Sequence, residues 1–203
     1  MKLLVVSDSH GRHIDEYIKR EIPSMIVRTL MVPGKISEIR GQYREELMEL
    51  VNFKPDIIVM HMGHNDLVAH RTHNTQPLFI TAVFHLLMEL KDEVHYNFPG
   101  ASIFVSSILP RMPDDYAFDA DRTWRYNRMA RRFGQMVCSG GKRENSFYQS
   151  LPNRDLWGRI TQLEAYSMRF DAGGLHLSPF GKIALVSGWA DGFVVVGVEP
   201  RAN

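Results

Sequence analysis

The sequence holds one cysteine, Cys138. No disulfide can close within the chain, and a reducing compartment, the cytoplasm, is the expected setting. Apolar runs are short, and none approaches the ~20 residues that span a bilayer. The first of them, behind Met1-Lys2, is cut at Asp8, too early for a signal peptide. Charge of one sign is not in excess either: 24 Lys+Arg stand against 23 Asp+Glu, for a net charge of +1. No global field draws the protein to nucleic acid or to a membrane, which leaves only a local basic patch to do so. No repeat or low-complexity tract marks a linker, so residues 1–203 are read as one domain. Hydrophobic residues make up 44% and charged residues 23%. That balance excludes a wholly disordered or collagenous chain and is that of an ordinary soluble globule.

Four short apolar runs recur: Leu3–Val6, Met25–Val32, Ile57–Met62 and Ser102–Leu109. Each is continuous rather than alternating, the pattern of strands covered on both faces. Between them lie segments of helical period. Phe79, Val83, Leu86, Leu87, Leu90 and Val94 share one face over residues 77–96, and Tyr126, Met129, Ala130, Phe133 and Val137 share one over 121–138. Further helices are expected over 12–22, 41–51 and 179–191. Strands alternating with helices give βαβ units, hence an α/β fold: a parallel sheet between two helical layers. In such sheets ligands bind beyond the carboxyl ends of the strands. Polar and glycine residues collect there.

Three of these loops carry side chains suited to acyl chemistry. Asp8-Ser9 follows the first strand, where a following helix N-terminus favours developing negative charge; both residue types are equally at home as helix caps. Gly63-His64-Asn65-Asp66 follows the third. Its asparagine amide is an oxyanion donor, or the segment is a plain Asn-Asp turn. His176 lies in the glycine-rich stretch Gly173-Gly174-Leu175-His176, just before a helix opened by Ser178 as N-cap and Pro179 at its first turn. A loop histidine there reaches across the strand ends, and Asp171 is near enough in sequence to orient it. Each segment alone has a structural explanation; together they form a nucleophile, a base and an amide donor.

Four blocks in order resemble the SGNH hydrolases, or GDSL-type esterases. Ser7-Asp8-Ser9-His10 resembles the first block, Val32-Pro33-Gly34-Lys35 the second, Gly63-His64-Asn65-Asp66 the third, and Gly174-Leu175-His176-Leu177-Ser178 the last. The resemblance spans residues 7 to 181. It implies a three-layer α/β/α sandwich around a mostly parallel, flavodoxin-like sheet of five strands, and hydrolysis of a carboxylic ester, acetyl or longer. It also implies Ser9 as nucleophile, His176 as base, and an oxyanion hole from Ser9, Gly34 and Asn65, with no metal or cofactor. A small-molecule or lipid ester is the implied partner. Position 7 is serine where the family commonly has glycine. The family's acid commonly stands three residues before the histidine, where this chain has Gly173. Asp171 then takes that role, or the site works as a Ser–His dyad, or this copy is inactive.

More loosely, Ile103–Arg111, Tyr126-Asn127-Arg128 and the Gly-Leu-His-Leu-Ser ending resemble esterase domains encoded by some animal retrotransposons. Met1–Gly11 also resembles the opening of calcineurin-like metallophosphoesterases, in which Asp8 and His10 would be metal ligands. The further ligands such a site requires, a Gly-Asp after the second strand and a late Gly-His-x-His, are absent from the sequence. Arg125, Arg128 and Arg132 stripe one helix face beside Trp124. They form either a solvated surface or a nucleic-acid contact. Among the other histidines, His61 is expected to pack, His64 to touch substrate and His10 to line the pocket.

Overall fold

The computed structural model describes residues 1–69, 76–112, 120–143, 147–151, 170 and 176–195. Five strands, β1 (Lys2–Ser7), β2 (Ile26–Met31), β3 (Ile57–His61), β4 (Ser102–Ser106) and β5 (Gln149–Leu151), form one sheet in the order β2-β1-β3-β4-β5. All four pairings are parallel. The helices of four turns or less are α1 (Ile14–Glu21), α2 (Ile36–Glu49) and α3 (His64–Ala69). The longer ones are α4 (Gln76–Asn97), α5 (Ala120–Gly141) and α6 (Pro179–Val195).

The continuous apolar strands are explained by two cores, one on each side of the sheet. Leu4, Val6, Ile58, Met60, Ile103 and Val105 face the side covered by α2, α4 and α5. Their neighbours Leu3, Val5, Ile57, Val59 and Phe104 face the side covered by α1 and α6, where Trp189 and Phe193 are fully enclosed. Successive side chains in a strand point to opposite faces, so the middle of such a strand meets an apolar core on both sides, and the buried polar residues Ser7, His61 and Ser106 come only at the carboxyl ends. β2 departs from this expectation. It is an edge strand, with Ile26 and Arg28 exposed, although the surrounding sequence is as apolar as that of β1.

Helix boundaries follow the sequence where the helix caps itself. At α6, Ser178 Oγ accepts the Gly181 N–H at 3.3 Å and Pro179 opens the helix, as expected. They depart from it where the cap comes from elsewhere. α2 starts at Ile36 rather than near residue 41, because the Ile36 N–H donates to Asp66 Oδ2 at 3.0 Å, from 30 residues away. The helix expected over 12–22 is present as α1, Ile14–Glu21; a separate 3-10 turn, Ser9–Gly11, precedes it, with His13 before α1 in the left-handed region at φ 59°. The segment His64–Ala69 is helical rather than loop.

Candidate active site

The loops after β1, β2 and β3 and the approach to α6 lie at the carboxyl end of the sheet. β1 has β2 on one side and β3 on the other, so the chain reverses its direction of travel across the sheet there, the usual location of a ligand crevice. The register pairs Ser7 with His61, which sets Asp8 beside the start of α3.

Asp8 is the hub. Its Oδ1 accepts the backbone N–H of His10 at 3.1 Å and faces His10 Nδ1 at 3.0 Å. Its Oδ2 accepts the backbone N–H of His64 at 3.3 Å and faces His64 Nδ1 at 3.3 Å. On the far side of the His64 ring, Nε2 accepts the Leu109 N–H at 3.0 Å. That bond fixes the tautomer: the proton is on Nδ1 and is donated to Asp8. One carboxylate and one imidazole thus tie together the ends of β1, β3 and β4. Asp8, His10, His61 and His64 are all buried. His10 and His64 stack face to face, centroids 3.7 Å apart and planes 18° apart. His61 packs edge-on against His64 and Trp189, with Nδ1 2.9 Å from Ser106 Oγ, and its Nε2 has no partner among the described residues.

Burial governs the charge of these groups. It opposes ionisation of Asp8, but the neighbouring His64 and His10 rings and their N–H donors outweigh it and hold the carboxyl well below the usual range. Burial, reinforced by His10, pushes His64 down to about 4. The same cause holds His61 well below an ordinary histidine. Asp66 is pushed up to about 6 by burial, with the Asp8 charge adding to it and the Ile36 N–H opposing.

Of the expected site residues, the structure describes four. Ser9 opens the 3-10 turn after β1, half-buried, and its hydroxyl makes no hydrogen bond to any described residue. Asn65 and Gly34 are brought together: Asn65 Nδ2 donates to the Gly34 carbonyl at 3.0 Å, tying the second block to the third. Gly34 has φ 134° and Gly63 has φ 106°, backbone that side-chain-bearing residues rarely adopt. His176, half-buried, has its ring 5.1 Å from that of His10 and tilted by 51°. Asp171 lies outside the described residues. His64 does not face substrate as expected; both its nitrogens are engaged in holding the strand ends. Ser7, in the place of a glycine, donates its hydroxyl to the His61 carbonyl at 2.8 Å and so reinforces the β1–β3 pairing.

The sequence paired Asp8 with His10 only as would-be metal ligands; that His64 joins them was not legible, because no ligand-like spacing links it to either. The available signal was positional: polar residues directly after strands that turn out to be neighbours. The three groups offer ligand atoms within 4.8 Å of one another. They do not suit a metal ion as arranged. A metal lies near the plane of each imidazole that binds it, about 2.1 Å from the nitrogen. Two rings stacked at 3.7 Å share no such point, and both Nδ1 atoms already face the carboxylate.

A second region lies on the solvent side of α5. Trp124, Asn127, Arg128, Arg131, Arg132 and Gln135 line a concavity of about 680 Å³. The Arg128 guanidinium stands 5.5 Å from the Trp124 ring centroid, a cation–π contact, and Trp124 is 61% exposed. Asn127 anchors this helix to the strand ends, accepting the Arg111 N–H at 2.8 Å and donating to the Arg111 carbonyl at 2.9 Å.

Neither a family model nor a curated protein matches the chain. Solved structures do. The chain is similar to a lipase/acylhydrolase from Enterococcus faecalis (16% identity, the whole of both chains, TM-score 0.65). It is also similar to a GDSL-like lipase from Bacteroides thetaiotaomicron (12% identity, 96% of this chain and 88% of the other, TM-score 0.65). A third is a family 3 carbohydrate esterase from Clostridium thermocellum (15% identity, 97% and 96%, TM-score 0.63). With its 2-1-3-4-5 parallel sheet between helical layers, the chain has the fold of the GDSL-type lipases and acylhydrolases, the SGNH hydrolase fold.

Proposed function

We propose that the protein is a serine esterase that hydrolyses carboxylic esters. The observation that carries this reading is the gathering of the four blocks at one end of the sheet. Asn65 is bonded to Gly34, and His176 lies beside the ring next in sequence to Ser9. The neighbours' names, lipase, acylhydrolase and carbohydrate esterase, support ester chemistry at that level. In this scheme Ser9 Oγ attacks the ester carbonyl while His176 accepts its proton. The tetrahedral oxyanion receives the backbone N–H groups of Ser9 and Gly34 and the Asn65 amide hydrogen not committed to Gly34. His176 then protonates the leaving alcohol, and water releases the acyl group from Ser9 by the same route. The imidazole needs an acceptor for its other N–H, and Asp171 is the candidate that the sequence offers. The chemistry calls for no metal or cofactor. The test is hydrolysis of p-nitrophenyl acetate by the protein beside Ser9→Ala and His176→Ala. Each substitution is expected to lower turnover by at least about 10³-fold; equal rates for all three overturn the reading.

A second reading, nucleic-acid binding on α5, is favoured by the arginine-lined concavity and the Arg128–Trp124 contact. Guanidinium groups pair with phosphates and an exposed indole stacks on a base. Fluorescence anisotropy with a labelled single-stranded oligonucleotide checks it. Affinity should fall steeply between about 50 and 200 mM salt, and Arg128→Glu/Arg132→Glu should abolish it. A flat salt response rejects it.

A further inference from the structure

We propose that Asp8 acts on His176 through His10: a carboxylate and a relaying imidazole together do the orienting work for which the position three residues before His176 offers only Gly173. The inference rests on the esterase reading for its catalytic meaning, and on three observations for its geometry.

His10 is held from one end. Its Nδ1 is 3.0 Å from Asp8 Oδ1 and its backbone N–H donates to the same oxygen, so Nδ1 carries the proton and donates it. Nε2, at the opposite end of the ring, is then an acceptor. His10 is also fixed in plane, because one face is covered by His64 at 3.7 Å and 18°. Finally, the His176 ring stands 5.1 Å from His10, tilted by 51°, neither stacked nor perpendicular. Two imidazoles joined edge to edge through one N–H···N bond of about 2.9 Å have centroids close to 5 Å apart.

The proton inventory balances. Before attack, Ser9 Oγ–H faces the basic nitrogen of His176; the other nitrogen of His176 carries hydrogen and donates it to His10 Nε2, and His10 Nδ1–H donates to ionised Asp8. When the Oγ–C bond forms, the serine proton moves to His176. The resulting imidazolium shares its other N–H with His10, whose own N–H remains on Asp8. No further proton transfer is needed; the buried carboxylate stabilises the cation through one intervening ring. His61 and His64, the other titratable rings against this pair, stay neutral by burial, so the cluster holds one negative charge to meet the one positive charge formed. Asp66 adds to that field only when ionised. His10 and Asp8 are positioning residues in this scheme.

The discriminating variant is His10→Phe, which keeps a flat ring against His64 but has no nitrogen. His10→Gln, whose amide can donate to Asp8 and accept from His176, serves as the rescue and as the substitute should the first not fold. In His10→Phe we expect kcat for p-nitrophenyl acetate to fall about 10²-fold with KM within twofold. The ring Cε1–H resonance of His176, followed by NMR across pH, should titrate about one unit lower than in the unsubstituted protein. His10→Gln should recover part of both. Unchanged kcat and an unchanged His176 titration in a folded His10→Phe overturn the relay. A protein whose hydrolysis survives Ser9→Ala fails the esterase reading instead, and the NMR titration still decides whether the two imidazoles are coupled.

Discussion

The Asp8 cluster and the α5 arginine stripe are both concentrations of charge-bearing side chains, and they obey opposite rules. Around Asp8 four N–H donors meet one carboxylate out of contact with water, and every member is fixed by another. On α5, Trp124, Arg128, Arg131 and Arg132 project into solvent from a helix held by its other face, through Tyr126, Met129, Ala130, Phe133 and Val137. Removing water makes each hydrogen bond of the first group costly to break. Exposure to solvent makes each charge of the second nearly neutral for folding. Burial, more than the number of charges, separates a device that holds the fold from a surface that can bind.

Substitutions can break this contrast. Asp8→Ala leaves two imidazole and two backbone N–H groups buried without their acceptor, and should destabilise the protein by about 3–5 kcal/mol in urea unfolding. A loss under 1 kcal/mol would mean that the cluster is not the tie it looks to be.

Acid should expose the same difference on a smaller scale. His64, at about 4, and His61, well below its ordinary value, are neutral in the fold. Between about pH 4 and 6.5 the unfolded chain therefore binds more protons at these rings, so their stabilisation is complete above that window and lost as pH falls through it. Asp66, raised to about 6, works in the opposite sense, because the folded chain holds that proton more tightly. Two imidazoles outweigh one carboxyl, and stability should drop by roughly 2 kcal/mol from pH 7 to pH 5. A urea midpoint that rises on acidification would show that Asp66 dominates.

The smallest effect belongs to the exposed stripe. Arg128→Ala should change stability by less than about 0.5 kcal/mol, read as an unshifted thermal midpoint. A larger loss would make Arg128 part of the fold and remove the basis for treating α5 as a binding face.

The strands of the sheet centre were legible because burial on both faces leaves an uninterrupted apolar record, as in Leu3–Val6 and Ile57–Met60. α4 and α5 were legible through their period, and α6 through Ser178 and Pro179 at its start. β5 was not marked among the apolar runs, since Gln149–Leu151 is three residues long with only Leu151 buried. Nor was the start of α2, whose cap is Asp66. Ser9, Gly34, Asn65 and His176 were readable as a set because each sits where an apolar run or a glycine-rich stretch ends. The relation of His64 to Asp8 and His10 was not, because it follows a different strand, 56 positions from Asp8.

The chain's own order of residues determined the α/β layering, the strand-end loops and the residue types offered there, since periodicity and local caps act within a few residues. Tertiary structure alone decided that His64 would serve Asp8 and Leu109 rather than a ligand, that Asn65 would grip Gly34, and that His176 would rest beside His10. Those contacts depend on which strands lie next to each other and in what register. Short-range forces along the backbone carry no information about partners 31 to 166 positions away.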